Sequence, residues 1–432
     1  MSSSAAASAM LDEDQVYARV TRRLIPFLFL CYVAAYLDRV NVSFAKLTMA
    51  VDLQFSDTVY GFGAGVFFFG YFLFEVPSNL LMHRIGARLT LARIMILWGL
   101  ISAAMMFVTT PSQFYVMRFL LGAAEAGFFP GVVLYLTYWY PASRRGRVQA
   151  LFVTAVAISG VVGNPVSGWI MGSTHGTHGL AGWQWLFLLE GLPSVALGLF
   201  ALVWLDDRVQ DARWLSPAER ALIAANIEAD GAHKTATSAL AGLRDRRVWL
   251  LSAIYFFLVS GLYGINFWLP TIIKGLGVTE LREIGLVSAI PWLAAVCCMT
   301  LVGRSADRRG ERRYHIVVPA VLGALGLATS VPLAGHPVLA VAALALGTCG
   351  LLSALPLCWS LATAFLGGAA AASGIALINS FGNLSGFVAP YVVGFIREQT
   401  GATDYGVYAL AVSLLVGAAL VLWRVPASLV NR

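Results

Sequence analysis

Long apolar segments separated by short polar or basic loops occupy almost the whole chain. Each has about the 20 apolar residues that a helix needs to cross roughly 30 Å of hydrocarbon. We predict six helices in the first part, at 24–46, 58–82, 89–108, 112–136, 147–170 and 183–205, and six in the second, at 248–273, 284–303, 314–333, 337–360, 369–396 and 403–424. A β-barrel would show only short alternating segments. The pattern therefore predicts an all-α polytopic membrane protein with twelve transmembrane helices in two six-helix halves.

One long polar stretch, residues 206–247, joins the predicted halves 24–205 and 248–424, and short tails at 1–23 and 425–432 flank them. Within this stretch Ser216, Pro217 and Glu219 have the spacing of a helix-capping box, in which Pro suits the first turn. The joining stretch is therefore expected to contain a short amphipathic helix from Ala218 to about Ala229.

Composition and charge place the chain in a membrane and orient it there. Hydrophobic residues make up 59% of the chain, charged residues 12%, and the mean hydropathy is +0.77. The net charge of +7 comes largely from arginines in alternate loops, and such loops stay in the cytoplasm. Both termini and the central loop are therefore expected on the cytoplasmic side of the inner membrane. A nucleic-acid partner is not expected, because no soluble domain carries a basic face.

Four ionisable residues lie inside predicted membrane helices: Asp38, Arg39, Arg118 and Glu125. A charge at membrane depth costs at least about 2.5 to 3.5 kcal/mol, so such residues usually face a cavity or one another. Two arginines with two carboxylates predict a site that binds an anion and moves protons. A buried ion pair that only fixes helix packing is the structural alternative.

Helical spacing groups some of these residues. Tyr32, Tyr36 and Arg39 recur at i, i+4 and i+7, so two phenols and a guanidinium share one helix face. Arg118 and Glu125 also share a face but lie roughly 10.5 Å apart along the axis. Each of the latter two is therefore expected to find its partner outside its own helix.

Two short basic loops lie at corresponding places in the halves. The loop after helix two contains Arg84, Gly86 and Arg88, and the loop after helix eight contains Asp307, Arg308 and Gly310. Both loops resemble the loop signature of the major facilitator superfamily. Glycine permits a tight turn there. Asp307 either faces a neighbouring helix end or belongs to an ordinary positive-inside loop. In the first loop His83 stands where the family pattern has Asp.

Within that superfamily, the segments 36–41, 118–131 and 379–386 resemble the anion:cation symporter family. The resemblance implies the major facilitator fold, with Asp38 and Glu125 in proton coupling and Arg39 and Arg118 in anion binding and ion pairing. It also implies that Trp359 lines the binding cavity, although an interfacial anchor is equally consistent with its position.

Further predicted substrate contacts lie on helices two and eleven. Asn379 and Asn383 share one face of helix eleven, and their amides suit substrate hydroxyls. Tyr71, with Tyr32, Tyr36 and Trp359, is compatible with an aromatic acid. Both substrate classes remain open. Glu75 and Glu190, each close to a proline, are weaker candidates for which a structural role is favoured.

The resulting hypothesis is a secondary transporter that imports a small organic carboxylate with protons by alternating access. A drug or solute antiporter of the same fold and a transporter-like sensor are the alternatives. An enzyme is not expected, because no nucleophile with a positioned base, metal cluster or phosphate loop occurs in the sequence. The predicted partners are the organic anion, protons and the lipid bilayer, without a cofactor or metal, and a monomer suffices.

Overall fold

The computed structural model describes residues 12–231, 245–365 and 369–427. The first half is built from nine helices: α1 (Glu13–Val40), α2 (Val42–Asp52), α3 (Asp57–Ile85), α4 (Ala87–Ala104), α5 (Pro111–Glu125), α6 (Phe128–Thr137), α7 (Ala142–Val153), α8 (Ala155–Thr174) and α9 (Gly182–Trp204). The helix α10 (Pro217–Gly231) follows them. The second half contains α11 (Arg246–Gly275), α12 (Leu281–Arg309), α13 (Arg313–Ser330), α14 (Pro337–Phe365), α15 (Ala369–Thr400) and α16 (Asp404–Arg424).

These helices form twelve spans in two six-helix halves. Ten helical segments of the described chain are long and apolar enough to cross a membrane, and α13 and α15 complete the twelve. The first span consists of α1 and α2, the fourth of α5 and α6, and the fifth of α7 and α8. We call the end of the bundle that carries residues 12 and 427 the terminal end, and the other end the Asp57 end.

Span boundaries differ from prediction where polar residues extend a helix. The first helix was expected from residue 24, but it begins at Glu13, where Asp12 accepts a hydrogen bond from the backbone N–H of Asp14 at 3.0 Å. The fifth span extends to Thr174 instead of residue 170 and is interrupted at Thr154. A capping side chain and polar helix turns at the membrane edge are not marked by hydropathy, which explains both differences.

The predicted capping box is confirmed at α10. The backbone N–H of Ser216 donates to Glu219 Oε2 at 2.8 Å, and the backbone N–H of Glu219 donates to Ser216 Oγ at 3.3 Å. Ion pairs hold this helix at the terminal end of the first half, because Arg19 contacts Glu219 at 2.7 Å and Arg145 contacts Asp230 at 2.9 Å.

Small residues allow the helices to pack closely. Gly99 of α4 and Gly191 of α9 face each other, and a Cβ atom added at either would lie 2.7 Å from the other's carbonyl oxygen. Such small-residue contacts are typical of helix packing in membranes, where the driving force is close van der Waals fit. Between the halves, Gly168 of α8 contacts Gly285 of α12, and Gly61 of α3 contacts Pro390 of α15. The halves therefore meet along the second and eleventh spans and along the fifth and eighth.

Candidate functional site

An ion pair between Arg39 and Glu125 occupies the centre of the first half. Arg39 lies near the end of α1 and Glu125 is the last residue of α5, and Arg39 Nη2 donates to Glu125 Oε1. Both side chains are buried. Glu125 is thus paired with a charge on another helix, as the sequence predicted, and the pair joins the first and fourth spans.

Aromatic rings surround the Arg39 guanidinium. The Arg39 Cζ atom lies 5.4 to 5.9 Å from four ring centroids, those of Tyr36, Phe67, Phe68 and Tyr71. Cations are attracted to the faces of such rings, more strongly when water is excluded. The rings therefore stabilise the guanidinium where lipid or apolar protein alone would not.

The ion pair keeps unused hydrogen-bonding capacity on both sides. Arg39 Nε and Glu125 Oε2 are buried and have no hydrogen-bond partner among the described residues. Buried polar atoms are normally bonded. The pair can therefore accept a further ligand: an anion on the guanidinium or a proton on the carboxylate.

The fourth span is broken immediately beyond Glu125. α5 ends at Glu125, Gly127 has φ +89°, and α6 starts at Phe128. A positive φ of this size suits glycine, which has no Cβ, and a Cβ at Gly127 would lie 2.5 Å from Ser78 Oγ. Irregular backbone at membrane depth is tolerated only inside the protein or along a cavity. The break thus marks the site independently of the charges.

Asp38 points into a different environment from its neighbour Arg39. Its carboxylate accepts hydrogen bonds from Ser102 Oγ at 2.6 Å, Trp98 Nε1 at 3.0 Å and Ser194 Oγ at 2.5 Å. Consecutive helical residues point about 100° apart, so the two charges face different sides of α1. The carboxylate links α1 to α4 and α9 through three uncharged donors.

Arg118 is fully buried but does not contact Glu125. Its Nε and Nη2 atoms donate to the backbone carbonyls of Gly63 and Ala64, both at 3.3 Å. Nη1 has no partner among the described residues. Arg118 therefore links the fourth span to α3, and its Nη1 atom can still donate a hydrogen bond.

The tyrosines predicted to contact substrate do not all lie in one place in the structure. Tyr36 and Tyr71 belong to the rings around Arg39, whereas the Tyr32 ring stacks on Phe152 of α7 with centroids 4.6 Å apart. The Tyr36 hydroxyl also accepts a hydrogen bond from Asn266 Nδ2 of α11 at 2.7 Å. Tyr36 thus connects the Arg39 side to the second half.

The second half contributes a group of amide and aromatic side chains, which we call the second-half wall: Tyr255, Tyr263, Asn266, Trp359, Asn379 and Asn383. Asn379 Nδ2 lies 3.5 Å from Glu75 Oε1 across the interface, and Tyr263 donates to Asn383 Oδ1 at 3.3 Å. Trp359 packs edge-on against Tyr255, with centroids 4.8 Å apart. Asn379 therefore lies at the interface, whereas Asn383 and Trp359 make their contacts within the second half.

Sequence analysis alone missed three members of this wall: Tyr255, Tyr263 and Asn266. Tyr263 and Asn266 are three residues apart on α11, so they share a helix face. A polar side chain on that face of an apolar helix is the signal in the sequence that marks these residues. Tyr263 also packs against Phe68 of the Arg39 ring set, with centroids 4.4 Å apart.

The two basic loops have the expected glycine turns and one unexpected partner. Gly86 (φ +85°) and Gly310 (φ +60°) end α3 and α12. The backbone N–H of Arg88 donates to Asp207 Oδ1 at 2.8 Å. The first loop is therefore bonded to an acidic residue from the stretch after α9. Exposed side chains with no hydrogen bond or ion pair to the described residues remain at Arg84, Asp307 and Arg308.

A charged cluster closes the Asp57 end. Asp57 of α3 accepts from Lys46 at 2.7 Å and from Arg397 of α15 at 2.6 Å. Lys46 also lies 3.9 Å from the centroid of Trp268. Glu398 accepts a hydrogen bond from the backbone N–H of Thr58 at 2.8 Å. These contacts join the two halves, so the structure is in a conformation closed at this end.

Comparison with known proteins agrees with this architecture. The chain is 48% identical to the "Putative metabolite transport protein NicT" of Pseudomonas putida, over 96% of both chains. It is 48% identical to a "Putative tartrate transporter" of Agrobacterium vitis (95% of this chain, 94% of that one) and 43% identical to a "Quinolone resistance transporter" of Acinetobacter baumannii (94% of each).

The fold agrees with a solved transporter structure. The crystal structure of a D-xylose-proton symporter superposes with a TM-score of 0.76 at 15% identity, over 94% of this chain and 98% of that one. The sequence pattern of the Major Facilitator Superfamily matches residues 28–390. With twelve spans in two halves around a buried charged centre, this multi-pass membrane protein belongs to the Major Facilitator Superfamily of transporters.

Proposed function

We propose that this protein imports a small organic carboxylate together with protons. The observation that carries the proposal is the buried Arg39–Glu125 pair with unused bonding capacity on both residues. A guanidinium binds a carboxylate through two parallel hydrogen bonds. The relative named as a putative tartrate transporter supports a carboxylate substrate.

Competition for Arg39 provides the coupling. A substrate carboxylate that binds the guanidinium takes the place of Glu125, which is then a buried charge without a partner. Breaking a buried pair in this way costs on the order of 3 to 5 kcal/mol, and burial favours the neutral acid. Glu125 therefore takes up a proton when substrate binds, and releases it when the pair forms again. Substrate and proton then move together.

The wall of the second half suits substrate hydroxyls. Asn379 and Asn383 of α15 offer amide donors and acceptors, and Asn266 of α11 donates to Tyr36 beside Arg39. An acid with hydroxyl groups next to its carboxylate can bond to the Arg39 guanidinium and to the asparagine amides at the same time. We infer that hydroxylated acids are preferred, with the rings around Arg39 excluding water.

Alternating access follows from movement of the halves about this centre. We infer from the arginine distribution that the terminal end is cytoplasmic and the Asp57 end faces outward. The contact between Asp57 and Arg397 then describes a state that is closed to the outside. In this proposal the stretches 1–23, 206–247 and 425–432 lie in the cytoplasm, and the monomer is the transporting unit in the inner membrane.

Uptake by the purified protein in liposomes tests the proposal. With acid outside and neutral buffer inside, radiolabelled tartrate should accumulate, and a protonophore should abolish the accumulation. Neutral hydroxylated compounds should not compete. Unlabelled tartrate, galactonate and aromatic acids then rank the substrates by competition.

A drug antiporter is the second candidate, because one relative at 43% identity is named a quinolone resistance transporter. That function predicts extrusion of a quinolone in exchange for protons. Quinolone movement opposite to the proton flux, without accumulation of any organic acid, would replace the symport proposal.

A further inference from the structure

A second buried polar cluster lies between the first, fifth and sixth spans and contains a carboxyl group that the coupling scheme above does not use. Its members are Asp38 and Asn41 of the first span, Ser167 of α8, and Glu190 and Ser194 of α9. All five are at most 5% exposed. The Arg39 guanidinium is not part of this cluster, because it bonds to Glu125.

Helical register brings the five residues together. Asp38 and Asn41 are three residues apart, and Glu190 and Ser194 are four apart, so each pair shares a helix face. The first and sixth spans run in opposite directions. The bond from Ser194 Oγ to Asp38 Oδ2, at 2.5 Å, places these two residues at the same depth along the bundle axis, which we call the first level. Asn41 and Glu190 occupy the next level toward the Asp57 end, where the Asn41 amide lies beside the Glu190 carboxyl.

Hydrogen bonding at the second level is incomplete. Glu190 Oε1 accepts from Ser167 Oγ at 2.7 Å, but Glu190 Oε2 has no partner among the described residues. The same is true of both amide atoms of Asn41, which is 1% exposed. Buried groups seldom stay unbonded. Asn41 can bond to Glu190 Oε2 in either state of the carboxyl: a carboxylate accepts from the amide Nδ2, and a protonated carboxyl donates to the amide Oδ1.

The absence of a cation among the described neighbours of Glu190 also favours a proton on this cluster. The groups facing Glu190 are Ser167 of α8, Ser194 of its own helix, and Asp38 and Asn41 of the first span; among them only Asp38 carries a charge. Two buried carboxylates without a cation repel each other and lose their hydration. Asp38 accepts three hydrogen bonds and Glu190 one. Asp38 is therefore the better site for the negative charge, and Glu190 is the better site for a proton.

We propose that Glu190 is a proton-binding site of this transporter, in which the proton exchanges with Asp38 and bulk water during the transport cycle. The proposal rests on the proposed proton symport and adds a second proton carrier to Glu125. Ser194 lies one turn from Glu190 on the same face of α9 and donates to Asp38, so the two carboxyls lie close to each other in neighbouring turns.

Infrared spectroscopy of the purified protein tests the site without any substrate. A protonated carboxyl has a C=O stretching band that a carboxylate lacks, and the band shifts when H₂O is replaced by D₂O. We expect Glu190→Gln to lose such a band. The matched control Glu283→Gln, an exposed acid in the first turn of α12, should lose none. A spectrum of Glu190→Gln that retains the full wild-type band would overturn the proposal.

A second variant covers the case in which Glu190→Gln does not fold. Asn41→Leu keeps the carboxyl but removes its acceptor, so the band should remain and move to the frequency of an unbonded C=O–OH group. An unchanged band position in Asn41→Leu would contradict the proposed contact.

Transport separates this inference from the proposed function. In liposomes with an inward proton gradient, Glu190→Gln should exchange labelled tartrate across the membrane but lose accumulation above equilibrium. If wild type itself ignores the proton gradient, the symport proposal fails while the infrared result still decides whether Glu190 holds a proton. Accumulation by Glu190→Gln equal to that of wild type would exclude proton exchange at this residue.

Discussion

Arg397 of α15 donates to the Asp57 carboxylate of α3 at 2.6 Å, and this bond joins the two halves at one end of the bundle. Lys46 contacts the same carboxylate oxygen at 2.7 Å. One carboxylate thus holds two cations that would otherwise repel each other. That negative charge therefore helps to hold the Asp57 end closed.

Asp57→Asn should open the Asp57 end, because Lys46 and Arg397 then face each other without an anion. A cysteine introduced at Phe387, on the interface side of α15, should become reactive toward a membrane-impermeant thiol reagent. Asp404→Asn removes an exposed acid from the start of α16 at the same end and serves as the control. Equal labelling rates in Asp57→Asn and wild type would show that the charge does not maintain closure.

Arg39→Lys should weaken substrate binding although the positive charge is kept. An ammonium cannot form two parallel hydrogen bonds to one carboxylate. A charge-assisted hydrogen bond contributes roughly 1.5 to 3 kcal/mol, so affinity should fall about ten- to a hundredfold. Calorimetry on purified protein measures this, with Arg282→Lys as an exposed control. Unchanged affinity would transfer the anion-binding role to Arg118.

Glu125→Gln should separate exchange from accumulation. The amide keeps the shape of the side chain but cannot titrate, so counterflow of labelled substrate should persist while uptake driven by a proton gradient is lost. Accumulation by this variant that matches wild type would make Glu125 a structural partner of Arg39 only.

Gly122→Ala should destabilise the first half, because its Cβ would overlap the carbonyl oxygen of Phe67 where α5 crosses α3. Overpacking of this kind costs typically about 1 to 3 kcal/mol. The control is Gly146→Ala in α7, where a Cβ meets nothing within 4 Å. Thermal unfolding in detergent should show a lower midpoint for Gly122→Ala alone, and equal midpoints would mean that α5 can shift away from α3.

Labelling of introduced cysteines can test the predicted orientation of the protein in the membrane. The loop at His178 lies at the Asp57 end, and Gln210 lies in the stretch after α9 at the terminal end; both residues are exposed. In intact cells an impermeant thiol reagent should label a cysteine at His178 and spare one at Gln210. The opposite pattern would invert the proposed topology.

The amino-acid sequence by itself determined the spans and the identity of the buried charges. Hydropathy gives the spans, because every backbone polar group in hydrocarbon must be bonded within a helix. Arg39, Glu125 and Tyr36 stood out because charged and phenolic groups are rare on apolar helices. The glycine turns at Gly86 and Gly310 were equally visible, since positive φ favours glycine.

Only the tertiary structure decided which charges meet. Helical spacing separates Arg118 from Glu125 but cannot say that Arg39 takes Glu125 while Arg118 bonds to backbone carbonyls of α3. Asp38 and Arg39 are neighbours in sequence, yet they face different helices because successive side chains diverge around the axis. The surroundings of Glu190 include Asn41 and Asp38, which are about 150 residues away along the chain. Partners of this kind follow from how helices pack, and packing geometry is a property of the assembled bundle rather than of any one segment.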